Sequence, residues 1–279
     1  VQRLKRTPSI INKLKRFPSM QLARMQDIGG LRAVVRSVKK VKELQSLYSK
    51  EGRFKHELVR VYDYISAPKG SGYRSVHLVY RYKNNKAPQY NNLLIELQVR
   101  TKLQHAWATA VETIGTFINY ALKSSEGPEE WLSFFAITGS AFAYLENCSL
   151  VPGYESLTKM ETFNQVRQRA RGLDVINRLR QFRVAVNAIT TDRVRGSYHL
   201  VVLDPERKTV TIKSYGRSRL ERATGDYIAE ERRIAKGEPI QVVLVSAKSI
   251  DALKRAYPNY FLDTHEFIRQ LNRIIQRTG

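Results

Sequence analysis

Four short stretches hold side chains of the kinds that bind nucleotides. In the loop APKGSGY and the strand after it, Pro68, Gly70 and Gly72 shape the backbone while Lys69, Tyr73, Arg74 and His77 supply function. A tyrosine flanked by glycine, with cations beside it, suits a base stacked on its ring and phosphates held nearby. The N-terminal run VQRLKRTPSIINKLKR brings Arg3, Lys5, Arg6, Lys13, Lys15 and Arg16 ahead of and along a helix. There cationic side chains and free N–H groups can share a phosphate. Asp27 precedes Gly29-Gly30 and is placed to hold a cation or to cap a turn. Glu96, Gln98 and Arg100 alternate along one stretch, an acid, an amide and a guanidinium pointing the same way. Each feature has a plainer alternative: a hairpin turn with surface cations, a solvated basic surface, or an edge strand with a wet face.

The elements that must carry these groups follow from periodicity. Leu93, Ile95, Leu97 and Val99 fill the positions between the polar ones, which predicts a half-buried strand on which Glu96 is the only acid of its face. After Thr101 the period becomes helical. Leu103, Trp107, Val111, Ile114 and Ile118 form one stripe, and Lys102, His105, Thr109 and Glu112 the opposite one. DIGGLRAVVRSV reads as a strand entered through a tight backbone. Residues 39–52 read as a helix with Val41, Leu44, Leu47 and Tyr48 inward and Gly52 at its end. Two strands flank the APKGSGY loop. Pro8 breaks the basic N-terminal run and Ser9 is placed to cap the helix after it. Residues 120–186 read as helices, 187–197 as a linker. Residues 198–279 restart with YHLVVLD and TVTIKSYG as strands, a charged helix, the strand IQVVLVSA and further helices: a small α+β unit.

The chain has 279 residues with 42% apolar content, and Lys plus Arg exceed Asp plus Glu by 48 to 25, a net charge of +23. That balance favours polyanionic partners, and it is spread along the length rather than gathered in a tail. No run approaches the roughly 20 apolar residues that span a bilayer, and no signal peptide is visible, so no membrane partner is expected. The single cysteine, Cys148, excludes an internal disulfide framework and a cysteine-rich zinc site. It reads as a packed core thiol, and a reducing, cytoplasmic setting follows.

Taken together and in order, RLKRTPSIINK, DIGGLR, DYISAPKGSGYRSVH and IELQVRT resemble the synthetase domain of the RelA/SpoT alarmone synthetases. The resemblance covers residues 1–120 in motif detail and extends to 186 in fold. It implies a nucleotidyltransferase-like mixed sheet flanked by helices, α+β in class, and a pyrophosphokinase that moves the β,γ-diphosphate of ATP onto a ribose 3′-hydroxyl of GDP or GTP. It also implies roles. Arg3, Lys5, Ser9 and Lys13 would bind ATP phosphates, with Arg32 on the following strand. Asp27 and Glu96 would hold Mg²⁺, and Glu96 would also activate the 3′-hydroxyl. Lys69, Tyr73 and His77 would form the acceptor loop, with Gln98 and Arg100 beside Glu96, and His105 and Glu112 on the helix stripe near the site. Phosphoryl-type transfer depends on charge neutralisation and positioning, which suits such a set.

Two departures bear on the acceptor. Tyr62 stands where these synthetases more often carry a lysine, and Ser71 replaces a common asparagine. Three readings follow: a guanine-nucleotide pyrophosphokinase, a toxin-type relative that modifies the 3′ end of tRNA, and a non-catalytic nucleotide- or RNA-binding module. The charge also suits ribosome contact. Residues 198–279, with Arg217, Arg219, Arg222, Arg232 and Arg233 on a basic helix, read as a regulatory unit for a protein or RNA partner or as a passive stabilising domain. The oligomeric state stays open.

Overall fold

The structure is a computed structural model. It describes residues 2–4, 7–50, 52, 54–118, 120–181, 185–190, 198–247, 249, 252–253, 261 and 264–277; of residues 2–4, 7–9, 12 and 185–190 it describes the backbone alone. The chain forms two compact units. One comprises Val1–Ala108, Pro128–Arg171 and Leu271–Gly279, the other Thr109–Gly127 and Gly172–Gln270.

The first unit is built on a five-stranded mixed sheet. Its strands are β1 (Gln2–Leu4), β2 (Gly29–Val35), β3 (Glu57–Asp63), β4 (Val76–Arg81) and β5 (Leu94–Thr101), in the spatial order β1-β2-β5-β4-β3. β2 and β5 run parallel, and the other neighbours are antiparallel. β5 is therefore the central strand, hydrogen-bonded on both sides. The alternation seen in its sequence sorts its two faces. Ile95, Leu97 and Val99 join Val76, Leu78 and Tyr80 in an apolar cluster with Val41 of helix α2 (Val38–Ser49). Ser37 caps that helix, its Oγ accepting from Lys40 N at 3.3 Å. α2 ends at Ser49, short of the expected Gly52.

The opposite face carries Glu96, Gln98 and Arg100, all under 8% exposed. This rules out the edge strand with a wet face. β5 runs without a loop into helix α3 (Lys102–Phe117). The amphipathic reading of that helix needs correction, since Gln104 and Thr109 are buried along with Trp107 and Val111. Helix α4 (Glu129–Glu146) is buried throughout its middle, from Phe134 to Ala143, and α5 (Lys159–Gly172) follows it. Near the N-terminus, α1 (Thr7–Arg16) already includes Pro8 and Ser9 in its first turn. Proline is accommodated there because that N–H needs no helical partner. Ser9 is thus inside the helix and is not its cap.

In the second unit a short helix α6 (Val175–Gln181) precedes strand β6 (Ala185–Thr190). Residues 187–190, expected in a linker, belong to that strand; 191–197 lie outside the described residues. β6 pairs parallel with β8 (Thr209–Tyr215), which pairs with β7 (Tyr198–Asp204), which pairs with β9 (Gln241–Ser246). Leu200, Val202, Tyr215 and Val242 on one face form a cluster with Ala223 of helix α7 (Leu220–Ala235). The other face gathers Val201, Leu203, Val210, Ile212 and Val243. The last helix, α8, is His265–Gln276. The helix expected around IDALKRAYP falls mostly outside the described residues. No helix among those described is long and apolar enough to cross a membrane.

Candidate active site

Strand register assembles the polar face of the first sheet. Opposite Glu96 lie Gly30 on β2 and Val79 on β4; opposite Gln98 lie Arg32 and His77; opposite His77 lies Tyr62 on β3. Gly30 is needed where it stands. A Cβ at this position would lie 2.0 Å from the Glu96 carbonyl oxygen, so only glycine lets the two strands meet there. Asp27 lies two residues ahead of β2, which begins at Gly29.

Glu96 is the hub of a connected set. His77 Nδ1 donates to its Oε1 at 2.6 Å, and Gln98 Nε2 donates to its Oε2 at 2.6 Å. Gln98 Oε1 in turn accepts from Arg32 Nε at 3.4 Å. The other ring nitrogen of His77 meets the Tyr73 hydroxyl at 2.8 Å. With Nδ1 donating to the carboxylate, Nε2 accepts from that hydroxyl. A line of hydrogen bonds thus runs from Tyr73 of the glycine-rich loop through His77 to the central carboxylate.

The loop is fixed from behind. Gly72 has φ +93°, and a Cβ there would lie 2.7 Å from the Phe135 carbonyl oxygen of α4. A Cβ on Gly139 would lie 2.6 Å from Gly72 Cα, so loop and helix touch backbone to backbone. Trp107 Nε1 donates to Phe135 O at 2.9 Å and locks α3 to the same turn. Arg74, read from sequence as a functional cation, faces inward instead. Its guanidinium lies 3.3 Å from Glu146 Oε2, the two side chains 2% and 11% exposed. Glu146 also accepts from Gln104 Nε2 at 3.0 Å and from Thr101 Oγ1. Burial of Arg74 pushes its guanidinium below the usual value, with Glu146 acting against that. Arg74 therefore anchors the loop. Cys148 is half-buried and packs against the apolar cluster of Val41, Val76 and Val99, and burial raises its thiol.

An aromatic wall that the sequence reading missed flanks His77. Tyr62 and Tyr64 stack with centroids 5.7 Å apart and planes 6° from parallel, and Tyr64 sets its ring edge-to-face with both Tyr73 and His77. Lys69 Nζ lies 4.6 Å from the Tyr64 ring centroid and 5.8 Å from that of Tyr73. Arg60 donates to the Tyr62 hydroxyl at 3.1 Å, so a guanidinium stands beside that tyrosine. Burial, then Tyr62, Tyr73 and Glu96 in turn, raise Tyr64 above the ordinary tyrosine range. The i, i+2 spacing of Tyr62 and Tyr64 was the available signal.

The remaining predicted residues fall into smaller groups. Lys13 Nζ donates to Asp27 Oδ1 at 3.0 Å. Arg100 is bonded to His105 across the junction of β5 and α3. Glu112 belongs to the second unit, where Lys123 Nζ donates to it at 2.5 Å. Backbone register sets Arg3 opposite Gly30; Ser9 is in α1, and Lys5 lies outside the described residues.

A carboxylate pair suits Mg²⁺, which takes one or two protein carboxylates and fills its other positions with phosphate oxygens and water. Asp27 already receives a cationic group, the ammonium of Lys13. Among the described residues no group of three or more His, Cys, Asp or Glu gathers as a protein-only metal cage. What the structure shows at the two predicted carboxylates is Lys13 on Asp27, and His77 and Gln98 on Glu96.

Residues 2–120 match the family model described as the region found in RelA / SpoT proteins. Among curated proteins, the chain is 35% identical over 109 residues to the GTP pyrophosphokinase YjbM of Bacillus subtilis (strain 168), 38% of this chain and 51% of that protein. It is 29% identical over 112 residues to GTP pyrophosphokinase YwaC of the same organism, again 38% of this chain and 52% of that protein. The chain thus spans about half the length of the curated relatives it matches. Among solved structures, small alarmone synthetase 1 from Bacillus subtilis bound to its product pppGpp is similar at 28% identity and a TM-score of 0.45, over 53% of this chain and 73% of that one. Every predicted site residue lies inside the matched residues 2–120, and so do the four stretches whose order carried the resemblance.

Proposed function

We propose that the chain is an ATP-dependent pyrophosphokinase acting on the 3′-hydroxyl of a guanine nucleotide, GDP or GTP. The observation that carries this reading is the buried carboxylate of Glu96 on the central strand, oriented by His77 and Gln98 and linked through His77 to Tyr73. The names of the relatives YjbM and YwaC support the same activity.

In this reading the acceptor base stacks on the Tyr73 ring, with Lys69 near its phosphates. The ribose 3′-oxygen attacks the β-phosphorus of ATP, the bond from that phosphorus to the α,β-bridging oxygen breaks, and AMP leaves. Glu96 takes the hydroxyl proton. His77 and Gln98 hold its two oxygens in place, which limits the reorganisation needed at the moment of transfer. Arg32 holds Gln98 and lies on the same polar face, within reach of a phosphate. Lys13 moves from Asp27 to the ATP phosphates as they arrive, with Arg3, Lys5 and Ser9 along the same N-terminal segment. Asp27 and Glu96 would hold Mg²⁺, which when bound neutralises charge on the transferred diphosphate.

A second reading, transfer to the 3′ end of tRNA, draws on one observation: the Tyr62–Tyr64 stack continues the aromatic surface beyond Tyr73, as a second base would need. Incubation of the full chain with ATP, Mg²⁺ and either GDP, GTP or deacylated tRNA separates the two. AMP together with a 3′-diphosphorylated guanosine nucleotide is expected. Labelled tRNA alone would replace the first reading with the second, and no AMP from any acceptor would overturn both.

A further inference from the structure

Lys69 is exposed on the glycine-rich loop, yet its ammonium is held in one place. It lies 4.6 Å from the ring centroid of Tyr64 and 5.8 Å from that of Tyr73, both within cation–π reach. No carboxylate pairs with it among the described residues. A lysine stem is flexible, and a surface ammonium without a partner would otherwise sample many positions. Two aromatic rings therefore fix a cation whose charge is still unmatched by any acid of the chain.

The nearer ring, that of Tyr64, is anchored by its backbone neighbours. Tyr64 N donates to Ser75 O at 2.9 Å. The turn after it closes on Asp63, whose Oδ1 accepts from Ile65 N and Ser66 N at 3.1 Å each and whose carbonyl accepts from Ala67 N at 3.0 Å. Lys42 of α2 reaches over this turn, its ammonium bonded to the Asp63 carboxylate and donating to Ser66 Oγ at 3.0 Å. At the other end of the loop Gly72 N donates to Lys69 O at 2.8 Å and Lys69 N to Tyr73 O at 3.3 Å, so the backbone of Lys69 is tied to the turn that carries Tyr73. Both ends of the contact are thus set by backbone, and only the lysine stem between them is left to be ordered. A group ordered before its ligand arrives costs less to immobilise on binding.

We propose that Tyr64 is a positioning residue for the acceptor: its ring holds the Lys69 ammonium beside Tyr73, ready for the phosphates of a nucleotide stacked there. The ring acts here, and the hydroxyl does not. The inference rests on the reading of Tyr73 and Lys69 as the acceptor platform. It competes with a simpler role, in which Tyr64 only buttresses Tyr73 and His77 through its edge-to-face contacts.

The test is equilibrium binding of GDP to the full chain by calorimetry, without ATP, so that no transfer is needed. Tyr64→Leu is expected to weaken binding by about 2- to 30-fold, the range of a cation–π contact, and Tyr64→Phe to preserve it. If Tyr64 acts through Lys69, Tyr64→Leu adds no further loss in a chain that already carries Lys69→Met. An undiminished further loss in that background would overturn the proposal and leave Tyr64 as a buttress; so would equal GDP affinity in the unsubstituted and Tyr64→Leu chains. A second measurement needs neither ligand nor a stable leucine variant. In the unsubstituted chain the Tyr64 ring current should move the ε-methylene protons of Lys69, assigned by their absence in Lys69→Arg, upfield of those of ordinary exposed lysines. Coincidence with the ordinary lysines would also overturn the proposal. Failure of the platform reading is seen separately, as GDP binding that Tyr73→Ala leaves unchanged; that result would remove the proposal together with its basis.

Discussion

His77 bridges Tyr73 and Glu96, with 2.8 Å from one ring nitrogen to the tyrosine hydroxyl and 2.6 Å from the other to the carboxylate. The bridge makes the acceptor loop and the central acid a single device. Glu96→Gln retains an oxygen to accept from His77 but cannot take a proton. AMP release should fall by roughly 10²–10⁴-fold, the range for loss of a positioned general base. Circular dichroism should be unchanged. Retained activity would move the base elsewhere.

Tyr73 should separate two contributions. Tyr73→Phe keeps the ring and loses the hydroxyl that meets His77, so kcat should fall while the acceptor KM stays near its original value. Tyr73→Ala removes the ring as well, and the KM for GDP should rise by roughly 5- to 150-fold, in line with about 1–3 kcal/mol for a stacked base. Steady-state kinetics with GDP as the varied substrate reads both.

The buried pair of Arg74 and Glu146 should matter for stability and only indirectly for transfer. Arg74→Ala strands a buried carboxylate and should cost about 3–5 kcal/mol in urea unfolding. Replacing both residues with Met should recover much of that loss. A double variant as unstable as the single one would mean that the hydrogen bonds of Glu146 to Gln104 and Thr101 outweigh the ion pair.

These side chains also show what was legible in the chain. The strand of Glu96 was readable because strict alternation separated Ile95, Leu97 and Val99 from the polar set, and position 96 turned out buried on the central strand. Arg74 was not readable in the same way. It stands among loop cations, and its inward turn depends on Glu146, far along the chain. The burial of Thr109 likewise escaped a periodicity argument, which assumes that a whole stripe of a helix meets water; on α3 Lys102 does, His105 and Glu112 do in part, and Thr109 does not. β6 escaped because NAIT carries little apolar alternation, and its strand state comes from pairing in register with β8.

Gly139 tests the seat of the acceptor loop. Gly139→Ala places a methyl 2.6 Å from Gly72 Cα, and neither backbone can yield without moving Tyr73. The acceptor KM should rise while the KM for ATP changes little. Equal effects on both substrates would indicate general damage to the fold.

In the second unit, His199 is buried, bonded to Ser214 at 2.9 Å and to the Ala247 carbonyl at 3.1 Å. Burial holds its imidazole below the ordinary value of 6.5, with the Ala247 carbonyl acting the other way. The unfolded chain therefore takes up a proton before the folded one as pH falls. Stability should be full above pH 6.5 and decline below it. Urea midpoints at pH 7.5 and 5.5 should differ more in the wild-type chain than in His199→Gln.

The parallel pairing of β2 with β5 sets Gly30 against Glu96, partners that emerge from the ribosome well apart in time. β2 has no β5 beside it until the intervening hairpin strands have been made. Such distant pairing is slow to form. During synthesis the basic N-terminal segment is therefore made before the central acid exists, and a nascent chain stalled before residue 96 would carry those cations without the carboxylate of β5.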